Sequence, residues 1–450
     1  MRCLALGWRG RYALPGRAKE SPISVTNERT TGAASGEIDS RYAWMRLMAA
    51  LALATIGGVG MWSVVVILPA VQETFALSRA DASLSYTLAM TGFGVGGILM
   101  GRLVDSLGLF RPLVAGILVL SLGYVATAFA ETHWQFGVAY GLLIAMLGGS
   151  ISFGPLIADT SLWFDRRRGI AVGICASGNY LAGTLWPPLL QSLVATHGWR
   201  QTHVWIALFC LVTMLPLALV LRRPPPKQHS AATSAAISKR RPVGPAPFSL
   251  PVMPVLLVIA GVTCGLAMAM PQVHIVAYCG DLGYGAARGA EMLSLMFGFG
   301  IISRLGSGYV ADRIGGLNTL LIGSILQTVA LALYVPFDSL VSLYIVSALF
   351  GLFQGGLVPS YAIIIREYFP PEQIGTRVGI TLTATMIGMA AGGWMTGAIF
   401  DFAGSYRVAF INGVFWNLVN MAIVLVMIWR VRQKMSGNGR RRAPLAQPAE

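Results

Sequence analysis

One arginine stands inside a stretch that is otherwise apolar. Arg304 lies within residues 291–311, eight positions ahead of Asp312, about 12 Å along a helix at ~1.5 Å per residue. An arginine near the centre of a bilayer costs at least about 2.5–3.5 kcal/mol, so such a residue faces protein or a watery cavity. Its guanidinium is a planar fork of donors that can hold a carboxylate by two parallel bonds. The small neighbours Gly300, Ser307 and Gly308 leave room on that helix face. The competing reading is a stem that carries the charge out to the headgroups.

Other polar residues lie at depth. His274 can titrate near neutral pH and move a proton, or simply hold two helices together. Asn179, Tyr180 and Gln354 can line a cavity, and helix-to-helix hydrogen bonding accounts for them almost equally well. Trp62 offers an apolar wall to a substrate or packs in the core. Gly169, Gly173, Ser177 and Gly178, and likewise Gly388, Gly392 and Gly393, read as packing seams. No nucleophile–base pattern, metal-type spacing or phosphate-binding G-x-x-x-x-G-K-[S/T] occurs, so neither an enzyme nor a metal, cofactor or ATP drive is expected. The five cysteines are scattered, four of them in or at the ends of apolar spans, and read as small hydrophobes.

A charged, glycine-marked loop occurs twice. Gly101-Arg102-Leu103-Val104-Asp105-Ser106-Leu107-Gly108 leads to Arg111-Pro112, and 207 positions later stands Gly308-Tyr309-Val310-Ala311-Asp312-Arg313-Ile314-Gly315. Gly101, Asp105 and Gly108 map onto Gly308, Asp312 and Gly315 at one constant offset. The glycines permit a tight turn, and each aspartate can accept from a neighbouring arginine or a helix N-terminus. The plainer reading is that the loops set topology and packing only. Two such loops, each closing the second apolar span of its half, resemble the signature of the major facilitator superfamily, G-x-x-x-D-R-x-G.

The elements that must position these residues follow from composition. Of 450 residues 55% are hydrophobic and only 11% charged, where soluble domains carry about 25%. Spans near 47–71, 83–104, 112–130, 134–158, 169–194, 202–221, 251–278, 291–311, 316–337, 339–365, 377–400 and 406–429 make twelve, each near the ~20 residues a crossing needs. A bilayer offers the backbone no water, so they must be helices, and no barrel-type alternation occurs. With the N-terminus inside, 28 Lys and Arg fall on inner segments and four on outer loops (Arg79, Arg200, Arg288, Arg407). That split places both termini in the cytoplasm. The net charge of +15 is therefore topological, and nucleic acid is not a partner.

The expected organisation is a disordered cytoplasmic tail (1–44), a six-helix bundle (45–221), a cytoplasmic linker (222–250), a second six-helix bundle (251–430) and a cytoplasmic tail (431–450). The first tail lacks the apolar core of a secretory signal, and Glu20, Glu28, Glu37 and Asp39 speak against a transit peptide. The linker carries Pro224-Pro225-Pro226, Lys239-Arg240-Arg241 and an Ala/Ser-rich middle. Echoes such as Trp199-Arg200 with Tyr406-Arg407 and Pro155 with Pro359 make the bundles parallel repeats, with a substrate site expected midway between them.

Three further stretches narrow the resemblance. They are Leu68-Pro69 with Glu73-Thr74-Phe75 and Ser78-Arg79-Ala80; Trp163-Phe164-Asp165-Arg166-Arg167-Arg168-Gly169 with Gly198-Trp199-Arg200; and His274-Ile275-Val276-Ala277-Tyr278 with Asp281-Leu282-Gly283 and Ser303-Arg304-Leu305. Together they are similar to bacterial members of the monocarboxylate-transporter-like and oxalate/formate-antiporter-like group, over roughly residues 45–430. The resemblance implies a monomeric, multi-pass secondary transporter of the inner or plasma membrane. It would move a small organic anion by alternating access, with H⁺ as coupling ion in symport, Arg304 holding the substrate carboxylate and the two loops gating. Two departures weigh against lactate-like symport: Gly300 stands where the family often has an aspartate, and the first span has no lysine. The rivals are a drug or metabolite exporter with Arg304 structural, and a non-transporting membrane sensor, which would need a soluble domain larger than this tail and linker.

Overall fold

The computed structural model describes residues 38–225, 252–370 and 373–441, and residues 1–37 of the expected 1–44 tail, most of the linker and residues 442–450 lie outside them. Apolar runs with no water to bond to become helices throughout. We number them α1 (Arg41–Thr74), α2 (Arg79–Leu107), α3 (Phe110–Ala128), α4 (His133–Leu162), α5 (168–197), α6 (199–220), α7 (Met253–Asp281), α8 (Ala286–Ile314), α9 (Gly316–Leu333), α10 (Leu340–Tyr368), α11 (Ile374–Ala403) and α12 (Tyr406–Arg441). Helices α5 and α6 follow one another over residues 168–220, 53 in all, with only Gly198 between them. At ~1.5 Å per residue a straight rod would run about 80 Å, far beyond a ~30 Å hydrocarbon core. The chain is turned back at Gly198, whose φ of 79° and ψ of 160° are open to glycine. Twelve crossings result.

The halves repeat in backbone as well as in sequence. Gly108 and Gly315 both end a helix at positive φ (75° and 82°), as Gly198 and Gly404 both turn the chain at positive φ (79° and 63°). Helices α4 and α10 break at equivalent depths. The first passes through a π turn (Tyr140–Gly148) and a 3₁₀ turn (Gly149–Ser152), and the second is interrupted at Gly355-Gly356. Helix α1 also breaks, at Gly58. These discontinuities were not expected.

Two termini differ from the sequence expectation. Helix α1 begins at Arg41, with Ser40 Oγ accepting from Ala43 N (3.2 Å), so the last residues of the expected tail belong to the bundle. Tyr42 and Trp44 account for the extension: their rings pack edge-on against Trp163 and Phe164 at 5.3 and 5.2 Å. At the other end α12 runs on to Arg441, eleven residues past the expected bundle boundary.

Close helix contacts rest on glycine. On Gly388 and Gly392 of α11 an added Cβ would strike the Val262 and Leu266 carbonyls of α7, so only a missing side chain lets these backbones touch. Several buried polar groups are paired within each half. In the first, Ser63 Oγ meets the hydroxyls of Tyr124 (2.8 Å) and Tyr140 (2.6 Å). In the second, Asn420 Nδ2 donates to Ser324 Oγ (2.9 Å). Arg46 and Asp159, 3% and 7% exposed, form an ion pair at 2.9 Å between α1 and α4. Cys175, Cys210, Cys264 and Cys279 are buried and free, as small hydrophobes would be.

Candidate functional site

Helices α2 and α11, and α5 and α8, meet across the two halves. Near the face that carries Thr132 and Asp401, here the opposite face, they are tightly joined. Asp401, at the end of α11, accepts from the first backbone N–H groups of α2: Arg79 N at 3.0 Å and Ala80 N at 2.8 Å. The Arg79 side chain donates to Asp281 of α7 (2.6 Å) and lies over the Phe400 ring. A Cβ on Gly397 would come within 2.7 Å of the Arg79 carbonyl, so glycine is needed for this approach. Deeper in, Thr87 Oγ1 donates to Ala390 O (2.9 Å), and Ser294 Oγ donates to Thr184 O.

Toward the other face, which bears Gly108, Gly315 and Arg166–Arg168 and is here the basic face, the same helices part. An added Cβ on Gly97, Gly101, Gly169, Gly173, Gly306, Gly308, Gly375 or Gly379 would meet nothing within 4 Å. The expected packing seam therefore holds only in part. Gly178 packs on Ala54 and Gly393 on Tyr86, whereas Gly169 and Gly173 face open space because the halves have separated there. Asp105 and Asp312 are exposed, and among the described residues neither accepts a hydrogen bond from an arginine or a helix N-terminus. The loop glycines Gly101 and Gly308 and the arginines Arg111 and Arg313 lie at the same parted face, where Arg313 stacks on Tyr309 (4.5 Å).

Four expected site residues come together where the closed and open portions meet. Trp62 Nε1 donates to Asn179, with both the backbone and Oδ1 oxygens at 3.3 Å. The Trp62 ring lies 4.1 Å from Phe297, which meets Tyr180 edge-on at 5.6 Å. Arg304 Cζ sits 4.5 Å over the Tyr180 ring, and Nη1 donates to Ala176 O (3.2 Å). Among the described residues no carboxylate pairs with Arg304, and of its five donors only one, on Nη1, bonds another group. Beside this cluster is a small recess between α1, α2, α4, α5 and α11, lined by Met61, Phe93, Ser152, Phe153, Asn179 and Met386.

His274 and Gln354 lie elsewhere. His274 is buried beneath the opposite-face closure, with Nε2 2.8 Å from Gly393 O and Nδ1 3.4 Å from the Tyr406 hydroxyl. Gln354, fully buried at the α10 break, has neither amide atom bonded among the described residues. Sequence reasoning missed Asp401 and Phe297, and took Asp281 only as part of a family-like stretch. Charge counting registered Arg79 only as an outer basic residue, although Ser78-Arg79 with Asp81 marks a capped helix start to which a carboxylate can be drawn.

Two bundles of six membrane-crossing helices, meeting around a half-buried cation, define a multi-pass membrane transporter. A profile of the Major Facilitator Superfamily matches residues 50–346 and 307–450, and the chain belongs to that family. It is 25% identical over 404 residues to monocarboxylate transporter 13 of Rattus norvegicus (86% of this chain, 90% of the relative). It is 25% identical over 364 residues to an agnestins efflux protein of Paecilomyces divaricatus (79% and 81%). Among solved structures, the nucleoside transporter NupG superposes with a TM-score of 0.67 at 12% identity, over 86% of this chain and 99% of that one. A bacterial homolog of the human lysosomal transporter Spinster, in an inward-facing and occupied conformation, gives 0.66 at 13% identity (86% and 97%). The chain is a secondary transporter of this superfamily, and the named relatives are transporters rather than enzymes.

Proposed function

We propose that the protein carries a small organic anion of the monocarboxylate type across the cell (inner or plasma) membrane by alternating access. The observation that carries this reading is Arg304: a guanidinium without a carboxylate partner among the described residues, at the level where the path from the basic face ends. Hydrogen bonds to a charged group contribute about 1.5–3 kcal/mol, or roughly 10- to 150-fold in affinity. In this reading the basic face, with both termini and the linker, is cytoplasmic, so the conformation described is closed to the outside. The coupling ion is H⁺, with His274, under the closure, as the titratable group. Asp105 and Asp312 engage when the basic face closes. The protein works as a monomer.

The test is uptake of labelled monocarboxylates into proteoliposomes, with and without a pH gradient. Arg304→Lys keeps the charge but not the fork, and is expected to raise KM about 10-fold or more, with Arg304→Gln worse. Transport by Arg304→Lys equal to the parent across several carboxylates would end the anion-site reading. The second reading, an exporter of an apolar metabolite, is favoured by the recess, whose lining includes Met61, Phe93, Phe153 and Met386, and by a relative named for efflux. Under it both Arg304 variants remain active.

A further inference from the structure

The contact between Arg304 and Tyr180 joins the two halves through two helical steps that mesh. On α8, Gly300 and Arg304 are one turn apart and so share a face. On α5, Ala176 and Tyr180 are likewise one turn apart. The guanidinium lies along α5, bonded to the Ala176 carbonyl (3.2 Å) and stacked on the ring of Tyr180 (4.5 Å). The ring occupies the space over Gly300: a Cβ there would lie 2.8 Å from Tyr180 Cδ1 and closer still to Cε1. Phe297, one helical turn before Gly300 on the same helix, braces the ring from its edge. Tyr180 is 6% exposed and thus fixed in place.

We propose that Tyr180, seated in the notch left by Gly300, is the positioning residue for Arg304, holding its guanidinium by the π face while leaving its fork free for one substrate carboxylate. This rests on the anion-site reading above and adds to it how the cation is held. A ring face attracts a cation without neutralising it, and the Ala176 carbonyl takes one of five donors. Any carboxylate within reach on α5 or α8 would compete with the substrate, and among the described residues none is there. Gly300 is then a requirement of the site, because any side chain at that position expels the ring.

Transport kinetics in proteoliposomes with a monocarboxylate panel test this. A partly desolvated cation–π contact corresponds to about 2- to 30-fold in affinity. Tyr180→Leu is expected to raise KM about 10-fold with a much smaller change in kcat. Tyr180→Phe, which keeps the ring, should raise it less than about 3-fold. Gly300→Ala leaves Tyr180 intact but displaces its ring, and should raise KM on its own. In a Tyr180→Ala background, Gly300→Ala should add little, since there is no ring to displace. That non-additivity is a signature a merely structural role would not give. If Arg304→Gln raises KM while Tyr180→Leu and Gly300→Ala behave as the parent, Tyr180 does not position the cation and the proposal is overturned with the anion site intact. Equal losses in Tyr180→Phe and Tyr180→Leu would assign the role to the hydroxyl and overturn it as well. If Arg304→Gln itself is silent, the anion-site reading fails first.

Discussion

At the residue scale, charges inside apolar sequence are easy to find but their partners are not. Arg304 could be picked out because nothing else near it is charged, and its setting against Ala176 is a contact across 128 positions that no local pattern encodes. Arg46 and Asp159 show the same limit from the other side. One lies just ahead of the first expected span and the other just past the fourth, yet they form a bidentate buried pair, with Nε and Nη2 of Arg46 within 3.1 Å of the two Asp159 oxygens. Arg46 also donates to the Arg223 carbonyl (2.9 Å) and lies over the Trp163 ring, so one side chain ties α1, α4 and the end of α6. Removing one partner leaves an uncompensated buried charge, which typically costs about 3–5 kcal/mol. Asp159→Leu should therefore lower the thermal midpoint of the purified protein strongly. The double variant Arg46→Met/Asp159→Leu should recover much of the loss. A single variant that melts with the parent would show that the pair is not formed.

At the element scale, hydropathy located all twelve helices because twenty-residue averages are insensitive to detail. The breaks escaped for the same reason. Gly57-Gly58, Gly148-Gly149 and Gly355-Gly356 are the glycine pairs at which α1, α4 and α10 lose regularity, and each was visible in the sequence as a pair. The gate at the opposite face escaped because it depends on which helix end meets which. Asp401 caps the N-terminus of α2 from the other half of the molecule, a contact in which charge and helix dipole add. Replacing such a cap costs about 0.5–2 kcal/mol, roughly 2- to 30-fold in a two-state equilibrium. Asp401→Asn should thus raise the population open at the opposite face, read as faster thiol labelling of a cysteine at Ala390. In the proposed cycle Asp105 engages when the basic face closes, so Asp105→Asn should slow that labelling in the same assay. Both variants labelling at the parental rate would mean that neither carboxylate biases the cycle.

At the scale of the whole molecule, the asymmetry between the two faces carries a last prediction. Among the described residues, the contacts named above between the helices that join the halves lie from the level of Arg304 to the opposite face, while eight glycines on their other ends face open space. The charge split is an independent ground for the proposal that the basic face is cytoplasmic. A cysteine introduced by Gly173→Cys lies on the open side, where the backbone has no neighbour to shield it. With an impermeant thiol reagent it should label in inside-out vesicles and stay protected on intact cells. A cysteine at Ser230 in the linker should behave alike, and one at Thr132 should label on intact cells. Labelling at 230 with protection at 132 on intact cells would invert the topology. Position 173 also reports the cycle, since it becomes covered only when the halves close on the basic side. A transported carboxylate that shifts the population toward that state should slow its labelling in vesicles, while leaving the linker position unaffected. Substrate-independent labelling at 173, in a preparation that transports, would show that the gap between α5 and α8 is a permanent vestibule rather than one state of an alternating path.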